Sequence, residues 1–183
     1  MIPIALDAVT LPLAVAGRGP AALRRLLALR AGGARDLLLF SDHPDRALDR
    51  VAGSALRRFL PGRAELAGLR ALWIAGLPDD LAAELAASAR AQRVLVNVED
   101  RPPLCDFHSV AEVRRGELLL TVSTGGGSPG LAARIRARLE AEYGPEWAER
   151  VALLRGRRAA WRRDGRDVGA LTDALLHANG WLA

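Results

Sequence analysis

The sequence predicts an α/β protein with an N-terminal Rossmann-like parallel sheet, then a hairpin segment, then a small C-terminal helical subdomain. Three observations predict it. Short apolar runs alternate with helical stretches over the first hundred residues, glycines stand at the turn after the first of these runs, and beyond Arg101-Pro102-Pro103 the pattern changes to two alternating strands followed by helices. Strand and helix in alternation imply right-handed crossovers and a parallel sheet.

The elements follow in order. After a short apolar opening at Ile2 to Leu6, Leu11 to Ala16 is a continuous apolar stretch ending at Gly17, as expected of a strand buried on both faces. Pro20 to Ala31 has helical spacing and is stopped by Gly32-Gly33. Leu37 to Phe40 reads as the second strand, Asp45 to Phe59 as a helix before the breaker Pro61-Gly62, and Leu72 to Ala75 as the third strand. Asp79 to Arg90 is an alanine-rich helix, and Arg93 to Val98 is a strand rich in β-branched residues. Ser109 to Arg114 and Leu118 to Ser123 flank Arg115-Gly116-Glu117 as an antiparallel hairpin. From Pro129 the pattern is helical, with a break at Gly144-Pro145 and further helices through Arg163 and from Val168 to Asn179. These elements predict boundaries at 1–102, 103–130 and 131–183.

Composition narrows the function classes. The 183 residues are 50% apolar, enough for one sizeable core. The single cysteine, Cys105, forms no internal disulfide, and the three histidines are scattered without zinc-type spacing. A cytoplasmic protein with no bound metal is therefore expected. No apolar run approaches the roughly 18 residues of a membrane span, and the N-terminus lacks the pattern of a targeting segment. All 26 basic residues are arginine, and the net charge is +5. That charge suits nucleic acid or a small polycarboxylate equally, but aromatics make up only 4% of the chain and no basic run is interleaved with them. Nucleic acid is not the expected partner.

The segment Ala16-Gly17-Arg18-Gly19-Pro20-Ala21-Ala22 leaves a strand and opens a helix with the spacing G-x-G-x-x-A. Glycines at the first two positions allow a tight turn and close approach of a pyrophosphate to the helix N-terminus, and Ala22 allows close helix packing. The alternative is an ordinary tight turn. An acid about 20 positions on, at the far end of the second strand, would hold the ribose hydroxyls. Asp42, in Ser41-Asp42-His43-Pro44, fits this place, whereas Asp36 stands at the strand's beginning. A carboxylate on the ribose would disfavour NADP, whose 2′-phosphate would face it. The alternative is that this segment is only a solvated turn. The strand Val94 to Val98 ends in Glu99-Asp100, where ligands meet such sheets, so Asp100 is a candidate general base. The loop Ser123-Thr124-Gly125-Gly126-Gly127-Ser128-Pro129 runs into a helix and could bind an anion or act as a hinge. His108, near Asp106, is more readily a packing or surface histidine than a ligand. Trp147 and Trp161 suit a core or a subunit contact.

Together these residues resemble the precorrin-2 dehydrogenase and sirohydrochlorin ferrochelatase family, the dehydrogenase module of siroheme synthase. The most specific pieces are Val96-Asn97-Val98-Glu99-Asp100, Pro103-Leu104-Cys105-Asp106-Phe107, the Ser123 to Pro129 loop, Leu131 to Arg136 and Leu139-Glu140. The opening Ile2-Pro3-Ile4 and the turn Gly17, Gly19, Ala22 also match. The resemblance implies NAD held by Gly17, Arg18, Gly19, Pro20, Ala22, Ser41, Asp42, Ala75, Gly76 and Val98. It implies Asp100 as the catalytic aspartate and a homodimer interlocked through the middle segment. It further implies a tetrapyrrole bordered by Thr124, Gly125, Gly126 and Ser128, with His108 nearby and Arg101, Arg114 and Arg134 as clamps for its carboxylates. The implied reaction is oxidation of precorrin-2 to sirohydrochlorin in siroheme or cobalamin synthesis, with or without insertion of ferrous iron or cobalt as substrate. The chain departs from the family where Gly76-Leu77-Pro78-Asp79 replaces Ala-Thr-Asp, where Ala82 replaces a common asparagine, where Arg18 interrupts three consecutive glycines, and where Val110 replaces a proline. Those departures leave open a non-catalytic tetrapyrrole or metal-tetrapyrrole binding protein, and a small NAD-binding oxidoreductase with another substrate.

Overall fold

The computed structural model describes residues 2–181, and the chain divides into two compact units, Met1–Ser109 and Val110–Ala183. In the first unit, β1 (Leu13–Gly17), β2 (Leu37–Phe40), β3 (Leu56–Arg57), β4 (Ala71–Ala75) and β5 (Leu95–Val98) form one parallel sheet in the order β3-β2-β1-β4-β5. Helices α1 (Gly19–Ala31), α2 (Arg46–Ala52), α3 (Arg63–Leu66) and α4 (Asp79–Ala91) connect them. The order reverses at β1, because β2 lies on one side of it and β4 on the other. A crevice opens outside the carboxyl ends of the strands at such a point.

The continuous apolar strands are explained by burial on both faces. Side chains alternate across a sheet, so Ala14, Ala16, Phe40, Leu72, Ile74, Val96 and Val98 pack on one side against Ala82, Leu85, Ala86 and Ala89 of α4. Leu13, Val15, Leu37, Leu39, Ala71 and Trp73 pack on the other, against Ala22 and Leu26 of α1 and Leu48 and Ala52 of α2. Each fully buried Leu or Phe among them contributes about 1.5–3 kcal/mol.

Among the boundaries that differ from the sequence reading, two have a clear backbone cause. The helix expected over Asp45–Phe59 ends at Ala52, where Gly53 takes φ +56°. One 3-10 turn then leads into β3, whose Leu56 and Arg57 pair with Leu39 and Phe40. Satisfying the outer edge of β2 competes with continuing the helix, and the amide of Ser41 also donates to the carbonyl of Arg57 at 2.9 Å. The strand expected from Arg93 starts at Leu95, because Arg93 adopts φ +61° in the turn that precedes it.

The second unit begins with an antiparallel hairpin of β6 (Ala111–Arg115) and β7 (Leu118–Val122), closed by Gly116-Glu117 with Gly116 at φ +59°. Helices α5 (Pro129–Glu142), α6 (Trp147–Arg163) and α7 (Val168–Ala178) follow. Hairpin and helices belong to one compact unit. Arg115 donates to the carbonyls of Tyr143 (2.8 Å) and Glu140 (3.1 Å) at the C-terminal end of α5, where orphan carbonyls and the helix dipole both favour a cation. Trp147 and Trp161 are buried, and the Arg150 guanidinium lies 4.8 Å from the Trp147 ring centre and 5.1 Å from that of Trp181.

Candidate functional site

The turn after β1 is built by two glycines that only glycine can supply. A Cβ on Gly17 would stand 1.8 Å from the carbonyl oxygen of Ala75, and one on Gly76, at φ +69°, would stand 2.4 Å from the carbonyl oxygen of Arg18. The carboxyl ends of β1 and β4 therefore touch backbone to backbone, and the Arg18 amide donates to Ala75 at 3.1 Å. Ala22 is fully buried beneath Gly17. Gly19 differs from both. It takes φ +60°, and a Cβ placed on it meets nothing within 4 Å. The ground over the start of α1 is open, and the first amides of that helix, apart from Pro20, which has none, lack intrahelical partners. A pyrophosphate fits there.

At the end of β2, the Asp42 carboxylate is gripped by Arg18. Arg18 Nε donates to Oδ1 at 2.8 Å and Nη2 to Oδ2 at 2.6 Å, and His43 Nδ1 lies 3.2 Å from Oδ2. The guanidinium beside Asp42 holds its carboxyl well below the usual carboxylate range, with His43 adding to the effect. Next to it, the Ser41 hydroxyl is buried and has no partner among the described residues, the kind of group that a ligand or water completes. Asp36 precedes β2, at the opposite end of that strand.

Asp100 is exposed in the turn after β5 and takes φ +57°, a left-handed conformation that costs a non-glycine residue about 1 kcal/mol. Its turn is held from beneath. The Cys105 Sγ lies 3.2 Å from both the amide and the carbonyl oxygen of Val98 and 3.3 Å from the carbonyl of Arg101. Asp106 accepts from the amide of Val96 at 2.9 Å and from Arg90 at 2.8 Å, and Asn97 Nδ2 donates to the Phe107 carbonyl at 2.9 Å. Residues that carried the family resemblance thus shape the backbone around Asp100.

Sequence reasoning missed a second cluster. Arg25 of α1 donates to Ser109 Oγ at 2.9 Å, Ser109 Oγ donates to Asn97 Oδ1 at 3.3 Å, and Trp73 Nε1 lies 3.3 Å from the same hydroxyl. Burial pushes the Arg25 guanidinium down, against the pull of Glu99. Positions so far apart along the chain give no local signal.

The other expected residues are placed as follows. Ala75 and Val98 close their strands, and Arg101 pairs with Asp79, the first residue of α4. His108 is half-buried between Phe107, which packs edge-on against Trp73, and Ser109. In the second unit, Arg114 pairs with Glu112 at 2.9 Å, and Arg134 is exposed on α5. Thr124 Oγ1 and the amide and carbonyl of Ser128 bond to each other at 3.1 Å, while Ser128 Oγ caps α5 through Leu131. Gly125 and Gly126 are exposed with positive φ. Among the described residues no group of three or more His, Cys, Asp or Glu could hold a metal, and no helix is long and apolar enough to cross a membrane.

Two family models match in series: one described as "Putative NAD(P)-binding" over residues 4–111, and one described as sirohaem biosynthesis protein central over residues 115–142. Siroheme synthase of Ectopseudomonas mendocina is 39% identical over 133 residues, covering 70% of this chain and 28% of that protein. Siroheme synthase of Methylococcus capsulatus is 36% identical over 146 residues, covering 76% and 30%. The siroheme biosynthesis protein met8 of Schizosaccharomyces pombe is 37% identical over 78 residues, covering 41% and 30%. The chain thus spans less than a third of the length of these relatives. Among solved structures, the precorrin-2 dehydrogenase SirC superposes with a TM-score of 0.74 at 22% identity, covering 89% of this chain and 81% of that one, and it shares the fold. A glycine turn at the point where the strand order reverses and a family model over more than half of the chain agree: the chain belongs to the family described as putative NAD(P)-binding, with the sirohaem biosynthesis central family matched directly after it.

Proposed function

We propose that this chain oxidises precorrin-2 to sirohydrochlorin with NAD, acting as a cytoplasmic homodimer in siroheme or cobalamin synthesis. One observation carries the reading: the turn of Gly17 and Gly76 and the turn bearing Asp100 stand at the same carboxyl edge of one parallel sheet. NAD supplies the hydride acceptor. The amides of Gly19, Ala21 and Ala22 would receive its pyrophosphate, Ser41 and Asp42 face its ribose, and Ala75, Gly76 and Val98 line the path toward Asp100. The oxidation removes a hydride and a proton, and the Asp100 carboxylate takes the proton. Its left-handed backbone lifts that side chain out of the strand's alternation into solvent.

Arg101 and Arg114 already pair with carboxylates, whereas Arg134 has no ion-pair partner among the described residues, which makes it the strongest of the three clamps. Thr124, Gly125, Gly126, Ser128 and His108 are the remaining substrate contacts. Ferrous iron or cobalt would enter as the substrate of a chelatase step in which the same carboxylate takes pyrrole protons.

Purified protein given NAD and precorrin-2 should generate NADH. Asp100→Ala and Asp100→Asn should lower that rate at least about a hundredfold, and asparagine tolerates the left-handed backbone, so the fold is kept. An unchanged rate in Asp100→Asn removes Asp100 from the reaction, and tetrapyrrole binding without NADH formation replaces the enzyme with a carrier.

A further inference from the structure

A site that selects NAD keeps the acid after β2 free, so that its oxygens accept the ribose hydroxyls and repel a 2′-phosphate. Here the acid is not free. A carboxylate offers about four acceptor positions; the Arg18 fork occupies one on each oxygen, and His43 Nδ1 faces a third. The repelling charge is therefore neutralised by a cation that comes from the glycine turn itself. Arg18 and Asp42 retain 29% and 28% exposure of their side chains, so the pair is open to solvent on one side. A guanidinium fork matches phosphate oxygens as well as carboxylate oxygens.

We propose that Arg18 is a specificity-determining residue that lets this site accept NADP(H) alongside NAD(H), by pairing with the 2′-phosphate in place of Asp42. The inference rests on the reading that a dinucleotide lies across the Gly17 turn, and it revises the expectation that Asp42 would disfavour NADP. Two nearby arginines are engaged elsewhere. Arg57, in register beside Phe40, donates to the carbonyls of Ser54 and Leu56, and Arg58 pairs with Asp49 at 2.5 Å. His43, with its side chain 74% exposed, is placed to add a second donor to a phosphate at Arg18.

Titration calorimetry with NADH and with NADPH, each on the full chain and its variants, tests this. The wild type should bind the two within about tenfold of each other. Arg18→Ala should raise the ratio of the NADPH to the NADH dissociation constant by about tenfold or more, Arg18→Lys should restore part of it, and Asp42→Asn should lower it below the wild-type value. Added salt should weaken NADPH more than NADH. Tight NADH binding with NADPH weaker by a hundredfold overturns the proposal and leaves the proposed function standing, as does a ratio that Arg18→Ala does not change. Binding of neither nucleotide overturns the nucleotide reading itself and this proposal with it. Circular dichroism melts of each variant separate lost binding from lost folding.

Discussion

The two glycines flanking Arg18 should fail in opposite ways when each is replaced by alanine. In Gly17→Ala the new methyl would stand 1.8 Å from the Ala75 carbonyl oxygen, 2.9 Å from its carbon and 3.2 Å from the Ala22 Cβ. An ordinary carbon–oxygen contact needs well over 3 Å, so β1 and β4 must part by more than 1 Å at the centre of the sheet. The Arg18 amide then loses its 3.1 Å bond to Ala75, worth about 1 kcal/mol, and the overpacked sheet costs a further 1–3 kcal/mol, approximately. A total of about 3 kcal/mol should lower the melting temperature by roughly 6–12 °C. Gly19→Ala meets nothing within 4 Å and pays only for its backbone at φ +60°, about 1 kcal/mol. Its methyl projects where a pyrophosphate would lie, so nucleotide affinity should fall at least about tenfold. Thermal melts paired with NADH titrations read both effects. A Gly17→Ala protein as stable as wild type would refute the backbone contact between the strands, and a Gly19→Ala protein with full NADH affinity would remove the nucleotide from the helix start.

Two further outcomes follow from particular contacts. Asp42 has its folded pKa depressed by Arg18, so the pair's stabilisation is present above the ordinary aspartate value of about 3.9 and disappears as pH falls through the folded value. The stability deficit of Asp42→Asn, measured by urea unfolding, should therefore be full at pH 7 and vanish in strong acid; a deficit independent of pH would mean that the pair contributes nothing. Arg115→Ala removes the donors to Tyr143 and Glu140, and should cost the second unit about 1–2 kcal/mol, with faster amide exchange in the last turn of α5. Unchanged exchange there would show that water replaces the guanidinium.

The four strands buried on both faces were legible because both sides of each must be apolar, which leaves continuous runs such as Leu37 to Phe40. β3 was not legible. Its two residues show no periodicity, and they follow an amphipathic helix whose end is set by Gly53 and by the open edge of β2. At the turn after β1, Gly17 and Ala22 carried the spacing that its close backbone approach demands. The pairing of Arg18 with Asp42 was hidden, because Arg18 is one of 26 arginines and its partner lies 24 positions away. The Arg25, Ser109, Asn97 and Trp73 cluster was hidden for the same reason: its members come from different elements and meet only when the sheet forms. The place of Asp100 after a strand could be read from the sequence, but its left-handed backbone had no sequence signal.

The segment lashed along β5 does more than shape the Asp100 turn. β5 is the last strand of the sheet, and an outermost strand with bare amides and carbonyls is a template for joining another chain. Here the amide of Val96 is taken by the Asp106 carboxylate, its carbonyl by the Asp106 amide, and the amide of Val98 by sulfur. The rim is thus sealed by the chain's own continuation. An incoming strand would have to displace Asp106 from both backbone groups of Val96, and alkylation of the thiol at Cys105 should bare only the Val98 end of that border.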